Sequence, residues 1–349
     1  MKYRHVRLQA FGYQLPPHIL SSSAIEERLT DVYQRLKLPK GRLELMSGIQ
    51  ERRLWDKGTR PSQAATMAGK KAIAAANIPA AELDCLIFTS VSRDMMEPAT
   101  ASFVHHQLGL PEKCLVFDIS NACLGFLDGM LFLANMIELG QVKNGLLVAG
   151  ETAEDLIEST INSILADQSL TRKSIKSSFA SLTIGSGAVA LVMSHEKYST
   201  DGQKFIGGAF RANTVHSDLC QGGQSADANT QASATLMATD SEELLIRGIE
   251  TAQATWYDFL PELAWQPSEI DVFFCHQVGK AHARLLFESL NLDLEKNFET
   301  LAVLGNTGSV SAPITMAMGI EQKVFTRGQK AAMLGIGSGI NCLMLGIEW

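Results

Sequence analysis

The sequence contains no CxxC pair and no His/Cys group at metal-ligand spacing; its six cysteines (85, 114, 123, 220, 275 and 342) stand singly. Four of them sit in apolar, strand-like runs, which argues against a secreted disulfide framework and suits a reducing cytoplasm. A leader is also missing: MKYRHVRLQAFGYQLP holds neither a continuous apolar segment nor a small-residue cleavage site, so no signal peptide is expected. Long apolar runs are scarce. Ala331–Ile347 is the fullest, but its three glycines before Asn341, and Gly346 after it, read as two strands around a tight loop, not a membrane span. Positive charge is in deficit, with a net charge of −7, and no nucleic-acid partner is expected. What remains is 349 residues with 46% hydrophobic and 19% charged content, enough for two domains or one two-lobed unit with large cores.

The chain reads as alternating strands and helices. Ser21–Ser23 caps a helix expected over 24–36, and Pro61-Ser62 opens an alanine-rich helix to about Asn77. Asp84-Cys85-Leu86-Ile87-Phe88-Thr89 is a continuous apolar strand of the kind covered on both faces. A second unit repeats this grammar: Asp271-Val272-Phe273-Phe274-Cys275-His276 parallels Asp84–Thr89, and Ala331–Ile336 parallels Asn144–Ala149. A strand is expected over 299–303, ahead of the corner Gly305-Asn306-Thr307-Gly308. Two similar α/β halves result, taken as 1–195 and 196–349. Between them lies a Gly/Ser/Gln-rich loop over 216–234 that carries no packing signal.

Two corners carry candidate chemistry. In FDISNACLGFLDGM (117–130) a buried strand turns into a helix that is apolar nearly all round, which puts Cys123 on that helix's first turn. The helix dipole and unpaired N–H groups there favour a thiolate. A buried cysteine is as readily a small apolar residue, and the corner alone leaves both readings open. The matching corner of the second half holds Asn306, and the strand beside it ends in His276. Corresponding strand ends of repeated units face the same crevice, which brings Cys123, His276 and Asn306 together.

These pieces, SGIQERR (47–53), FDISNACLGF (117–126), CHQV (275–278), GNTGSVSAP (305–313) and GIGSG (335–339), resemble the thiolase superfamily. Within it they resemble condensing enzymes of the ketoacyl-acyl-carrier-protein synthase III type, in the family's order along essentially the whole chain. The resemblance implies an α/β, five-layered α-β-α-β-α fold and a two-fold homodimer. It implies that Cys123 takes an acyl group from a thioester. It further implies that His276 and Asn306 hold the carbonyl oxygen of the second substrate, and that the backbone N–H groups of Cys123 and Ser338 form the other oxyanion hole. Such enzymes usually have glycine where this chain has Ser338. Coenzyme A thioesters are the implied substrates, with no resident cofactor and no metal. An acyl carrier protein or downstream pathway enzymes are the implied partners besides the second subunit.

Glu97 is the informative departure. Synthases of this type are apolar at that position, on a loop that crosses the dimer into the partner's active site, and they make their carbanion by decarboxylation. A carboxylate there suits removal of an α-proton. With RRLWD (52–56), TSVSRD (89–94) and EPATAS (97–102), it resembles the olefin-pathway thiolases. Those join two fatty acyl-CoA molecules head to head, without decarboxylation, to a β-keto acid. The alternatives are a decarboxylating synthase using malonyl-carrier protein and a non-catalytic acyl-binding homologue, which intact Cys123, His276 and Asn306 argue against. A serine hydrolase is excluded because no GxSxG elbow surrounds Ser120. The Trp and Arg that stack on the nucleotide in acetyl-CoA-primed synthases correspond by count to Arg42 and Met46. Positive charge for the coenzyme A phosphates is therefore expected from Arg42, Arg52, Lys280 or the Arg172-Lys173 pair. The stretches 151–180 and 216–234 are expected to wall acyl channels.

Overall fold

The structure, a computed structural model, describes residues 1–199, 201–225 and 234–349. The chain starts with β1 (Val6–Gln14), β2 (His18–Ser21), α1 (Ser22–Arg28), α2 (Thr30–Arg35), α3 (Arg42–Ser47) and β3 (Glu51–Leu54). The helix expected over 24–36 is thus two, interrupted at Leu29. There the Thr30 hydroxyl donates to Glu27 O (2.6 Å), a local bond that competes with the helical ladder. Next come α4 (Pro61–Ala76), β4 (Cys85–Phe88), α5 (Thr100–Leu108), β5 (Leu115–Asp118), α6 (Gly125–Glu138) and β6 (Asn144–Glu151). The first half closes with α7 (Glu154–Ala166), α8 (Lys176–Phe179) and β7 (Gly187–His195).

The second half runs β8 (Gln203–Ala212), β9 (Cys220–Ser225), β10 (Ala234–Thr239), α9 (Ser241–Leu263), β11 (Val272–Cys275) and α10 (Lys280–Leu290). It ends with α11 (Leu301–Leu304), α12 (Ser311–Glu321), β12 (Lys330–Gly337) and β13 (Asn341–Glu348). The expected loop over 216–234 is in part the antiparallel pair β9–β10, and its residues 226–233 lie outside the described residues. The strand expected over 299–303 is the short helix α11. Gln277 explains the change: its amide donates to Phe298 O (3.2 Å) and accepts from Thr300 N (2.9 Å), so a side chain takes the backbone groups a strand neighbour would have met.

The strands form one mixed sheet in the order β11-β12-β13-β8-β1-β7-β6-β4-β5, joined between halves where β1 meets β8 at Arg7 and Leu8. Alternation along each strand sets the layers. Ile87, Leu147, Leu191, Phe274, Met333 and Leu345 point inward to Phe126, Met130 and Leu133 of α6 and Ile314 and Met316 of α12. Their neighbours Leu86, Val148 and Ala190 face α4 and α5, while Phe273, Leu334 and Met344 face α9 and α10. The result is the α-β-α-β-α stack. A satellite core of Ile25, Leu29, Ile157, Ile161 and Phe179 packs the excursion over 151–180 on α1 and α2. The repeat extends to single bonds: Asp84 and Asp271 each accept, at 2.8 Å, the backbone N–H of the residue 59 positions on, Lys143 and Lys330.

The inner helix α6 approaches β4 so closely that a Cβ on Gly125 would lie 2.3 Å from Thr89 O. Only glycine allows that contact. Gly125→Ala is expected to push the start of α6 away and cost about 1–3 kcal/mol, measured by urea unfolding.

Candidate active site

Cys123 lies in the turn between β5 and α6, two residues ahead of the helix and not within its first turn. Leu124 N–H donates to Asn121 O (2.9 Å) and Gly125 N–H to Ala122 O (3.3 Å), while Ala122 takes φ +46°. That left-handed residue costs roughly 1–2 kcal/mol. The electrostatics reverse the expectation of a thiolate. Burial pushes the Cys123 thiol up to about 12, with the nearby Glu151 charge and Cys220 adding to it, against a smaller opposing bond from its own backbone N–H. At neutral pH Cys123 is a thiol.

The second half supplies two neutral donors. His276 follows β11, and its backbone N–H donates to Leu334 O of β12 (2.8 Å). Burial, with His282 nearby, lowers its imidazole to about 4, so the ring is uncharged at neutral pH. Its Nδ1 is buried without a partner among the described residues. Asn306 is buried between Thr183 and Gly185, which receive and give backbone bonds of 3.0 and 2.8 Å. Its Oδ1 accepts Gly308 N–H (3.0 Å), an orientation that leaves Nδ2 as the outward-facing donor.

Ser338 lies in the turn between β12 and β13, and its hydroxyl donates to Cys220 Sγ (3.2 Å), which also contacts Thr239 Oγ1 (3.4 Å). The side chain is thereby engaged with β9. Asn341 Nδ2 reaches across the halves to Asn121 Oδ1 (3.1 Å), and Asn121 Nδ2 donates to Asp128 Oδ2 (2.8 Å). This chain of amides ties the Cys123 turn to the Ser338 turn. Neither Cys220 nor Asn341 stands out in the sequence: one is a scattered cysteine and the other a polar residue opening a strand.

Glu97 is exposed, in a loop whose tip includes Met96, 92% exposed. The roots of that loop are tethered. Asp94 accepts from Ser62 N (2.9 Å) and Oγ (2.6 Å), and Asp118 accepts Thr100 and Ala101 N–H, both at 2.8 Å. No hydrogen bond joins Glu97 to Cys123, His276 or Asn306 among the described residues.

The charges considered for coenzyme A separate. Arg42 lies over the Phe179 ring (5.9 Å) with Nε buried and unpartnered among the described residues, and exposed Lys280 packs its stem on Gly48, so both border one surface. Arg52 does not belong with them. It is fully buried, donates to Leu20 O (3.2 Å) and Ser22 Oγ, and burial lowers it to about 10; it holds β2 to β3 instead of facing a ligand. Arg172 is exposed and donates to Lys37 O (3.0 Å).

Two outcomes follow from these environments. Alkylation of Cys123 by iodoacetamide, followed by mass spectrometry, should keep rising beyond pH 9 without a plateau near neutrality. His276 has a folded pKa below its unfolded value, so the unfolded chain binds the extra proton as pH falls from about 6.5 to about 4. Stability should therefore decline across that window, and less steeply in His276→Asn, in urea titrations at fixed pH values.

Sequence-family models described as 3-oxoacyl-[acyl-carrier-protein] synthase III and its C-terminal part match residues 117–213 and 260–349. The chain is 42% identical to an acyl-CoA:acyl-CoA alkyltransferase of Shewanella oneidensis, with all of both chains covered. It is 37% identical to the enzyme of the same name from Xanthomonas campestris, again over the full length of both. A crystal structure of Xanthomonas campestris OleA carrying a cysteine-to-alanine substitution superposes with TM-score 0.93 at 36% identity, covering 100% of this chain and 98% of that one. Among the described residues, no helix is long and apolar enough to cross a membrane. Similarity at this level over the whole chain, with the layered fold and the Cys123, His276 and Asn306 corners in place, makes the protein an acyl-transferring condensing enzyme that belongs to the acyl-CoA:acyl-CoA alkyltransferase branch of the 3-oxoacyl-synthase III family.

Proposed function

We propose that the protein condenses two fatty acyl-CoA molecules head to head, without decarboxylation, through an acyl-Cys123 intermediate and with Glu97 of the partner subunit as the base. In the first step Cys123 Sγ bonds to the acyl carbonyl carbon, the bond to coenzyme A sulfur breaks, and the thiol proton ends on the departing coenzyme A. The thioester oxygen is received by the backbone N–H groups of Cys123 and Ser338. In the second, the partner's Glu97 removes an α-proton from another acyl-CoA, and the enolate oxygen accepts from His276 Nε2–H and Asn306 Nδ2–H. The α-carbon attacks the acyl-Cys123 carbonyl, Cys123 leaves and recovers a proton from Glu97, and hydrolysis of the β-ketoacyl thioester yields the β-keto acid. No resident cofactor or metal is needed, because coenzyme A thioesters supply both the electrophile and the leaving group.

One observation carries the base assignment: a carboxylate on the exposed, partly apolar tip of a loop whose two roots are tethered. Among the described residues nothing of its own chain covers the tip. Its neighbour β5 is the open edge of the sheet, with Leu115 half exposed, and edge strands are templates for pairing. Pairing with the same edge of a second copy is self-complementary and supports a two-fold homodimer with each loop directed to the other subunit. A spacing agrees. In Xanthomonas campestris OleA the substituted glutamate precedes the substituted cysteine by 26 positions, as Glu97 precedes Cys123. Arg42 and Lys280 are the favoured contacts for coenzyme A phosphates, and the protein is proposed to work in the cytoplasm, handing its product to downstream enzymes.

Incubation with myristoyl-CoA alone should give β-keto product, and acetyl-CoA with malonyl-carrier protein should not; the reverse result rejects the reading. Cys123→Ala should show no acyl mass gain on the intact protein. Glu97→Gln should acylate normally yet condense at least ~100-fold more slowly.

A further inference from the structure

Glu151 ends β6, a strand buried along its whole length, and is itself only 5% exposed. A carboxylate at such depth must have its oxygens satisfied. Its donors are all neutral and come from two separate segments. Oε1 accepts from Val91 N (2.8 Å), Ser309 Oγ (2.7 Å) and, more weakly, Ser309 N (3.4 Å); Oε2 accepts from Ser92 N (3.0 Å) and Ser92 Oγ (2.8 Å). Val91 and Ser92 begin the loop that carries Glu97. Ser309 belongs to the turn that carries Asn306, and Gly308 in that turn approaches the carboxylate so closely that a Cβ would lie 3.2 Å from Oε1. Ser92 Oγ in turn accepts Thr152 N–H (3.1 Å), which anchors the same node to the strand end.

We propose that Glu151 is a positioning residue for the condensation step, one buried carboxylate that holds the root of the Glu97 loop and the Asn306 turn in a single geometry. This rests on the cross-dimer reading of Glu97 above. With that reading, each Glu151 links the oxyanion donor of its own site to the loop that delivers the base to the other site, so the two sites of a dimer are mechanically joined. The carboxylate also bears on Cys123: burial is the main cause that holds its thiol protonated, and the Glu151 charge adds to it. The acylation step needs neither Asn306 nor Glu97, so loss of the link should fall on the second half-reaction. A misplacement of the order of 1 Å at either group is enough to slow it strongly.

Glu151→Gln tests this. The amide nitrogen cannot accept an N–H: at the Oε1 position it leaves Val91 N and Ser309 N without their acceptor, at the Oε2 position Ser92 N, so the link between the two segments is weakened while size is kept. Three readouts are taken on the full-length protein with myristoyl-CoA. Acyl mass gain on Cys123 should stay within about threefold of wild type, β-keto product should fall at least tenfold, and the pH midpoint of Cys123 alkylation should move down because a negative charge is gone. The last shift is one that loosened packing would not produce. Wild-type condensation in a folded Glu151→Gln, or equal slowing of acylation and condensation, overturns the proposal. If Glu151→Gln does not fold, Ser92→Ala and Ser309→Ala decide: each should slow condensation more than acylation, and wild-type condensation in both overturns it. Glu97→Gln, run in parallel, separates the two ideas, since normal condensation there rejects the base assignment itself and not the role of Glu151.

Discussion

The structure depends on two helices, α6 and α12, buried back to back between the two halves of one sheet. Each is mostly apolar because most of its surface is enclosed, although α6 keeps Phe132 exposed; α6 follows the edge strand β5, and α12 follows the Asn306 turn. Their starts must therefore meet near the centre of the molecule. The close contact of Gly125 with Thr89 O sets how deep the first helix can sit, and with it where Cys123 stands relative to the Asn306 turn.

Within this apolar frame Cys123 and His276 are held in their uncharged forms. Burial keeps the thiol protonated and the imidazole neutral. An imidazole donor that carries no charge suits an enolate that must form and then be consumed, since too strong an ion pair would trap it. Glu151 is buried and receives five hydrogen bonds, whereas Glu97 stands on an exposed tip, so the two carboxylates occupy opposite environments.

Much of this was legible in the residues. Strands covered on both faces read as unbroken apolar runs, and the duplicated Asp84 and Asp271 signals pointed to two similar halves; in the fold each aspartate accepts a backbone N–H at 2.8 Å, from Lys143 and from Lys330. Local periodicity failed where a distant side chain took over a backbone role, as Gln277 does beside α11. It also failed for Arg52, whose position among Glu51 and Arg53 reads as a polar surface but whose side chain is fully enclosed. The thiolate expected from the helix dipole is opposed by the fold, because Cys123 stands outside the first turn and burial pushes its thiol up.

The sequence by itself determined the alternation of strands and helices, through its patterning, and the family, through its motifs, with the layered architecture following from the family resemblance. The tertiary structure alone decided which buried polar groups hold the site together and what charge each reacting group carries. Glu151, Asn121, Asn341 and Cys220 look ordinary in the chain, because hydrogen-bond partners lie up to 220 residues away. Their roles, and the protonation of Cys123 and His276, follow from how much water the folded core excludes, a quantity no local stretch of sequence contains.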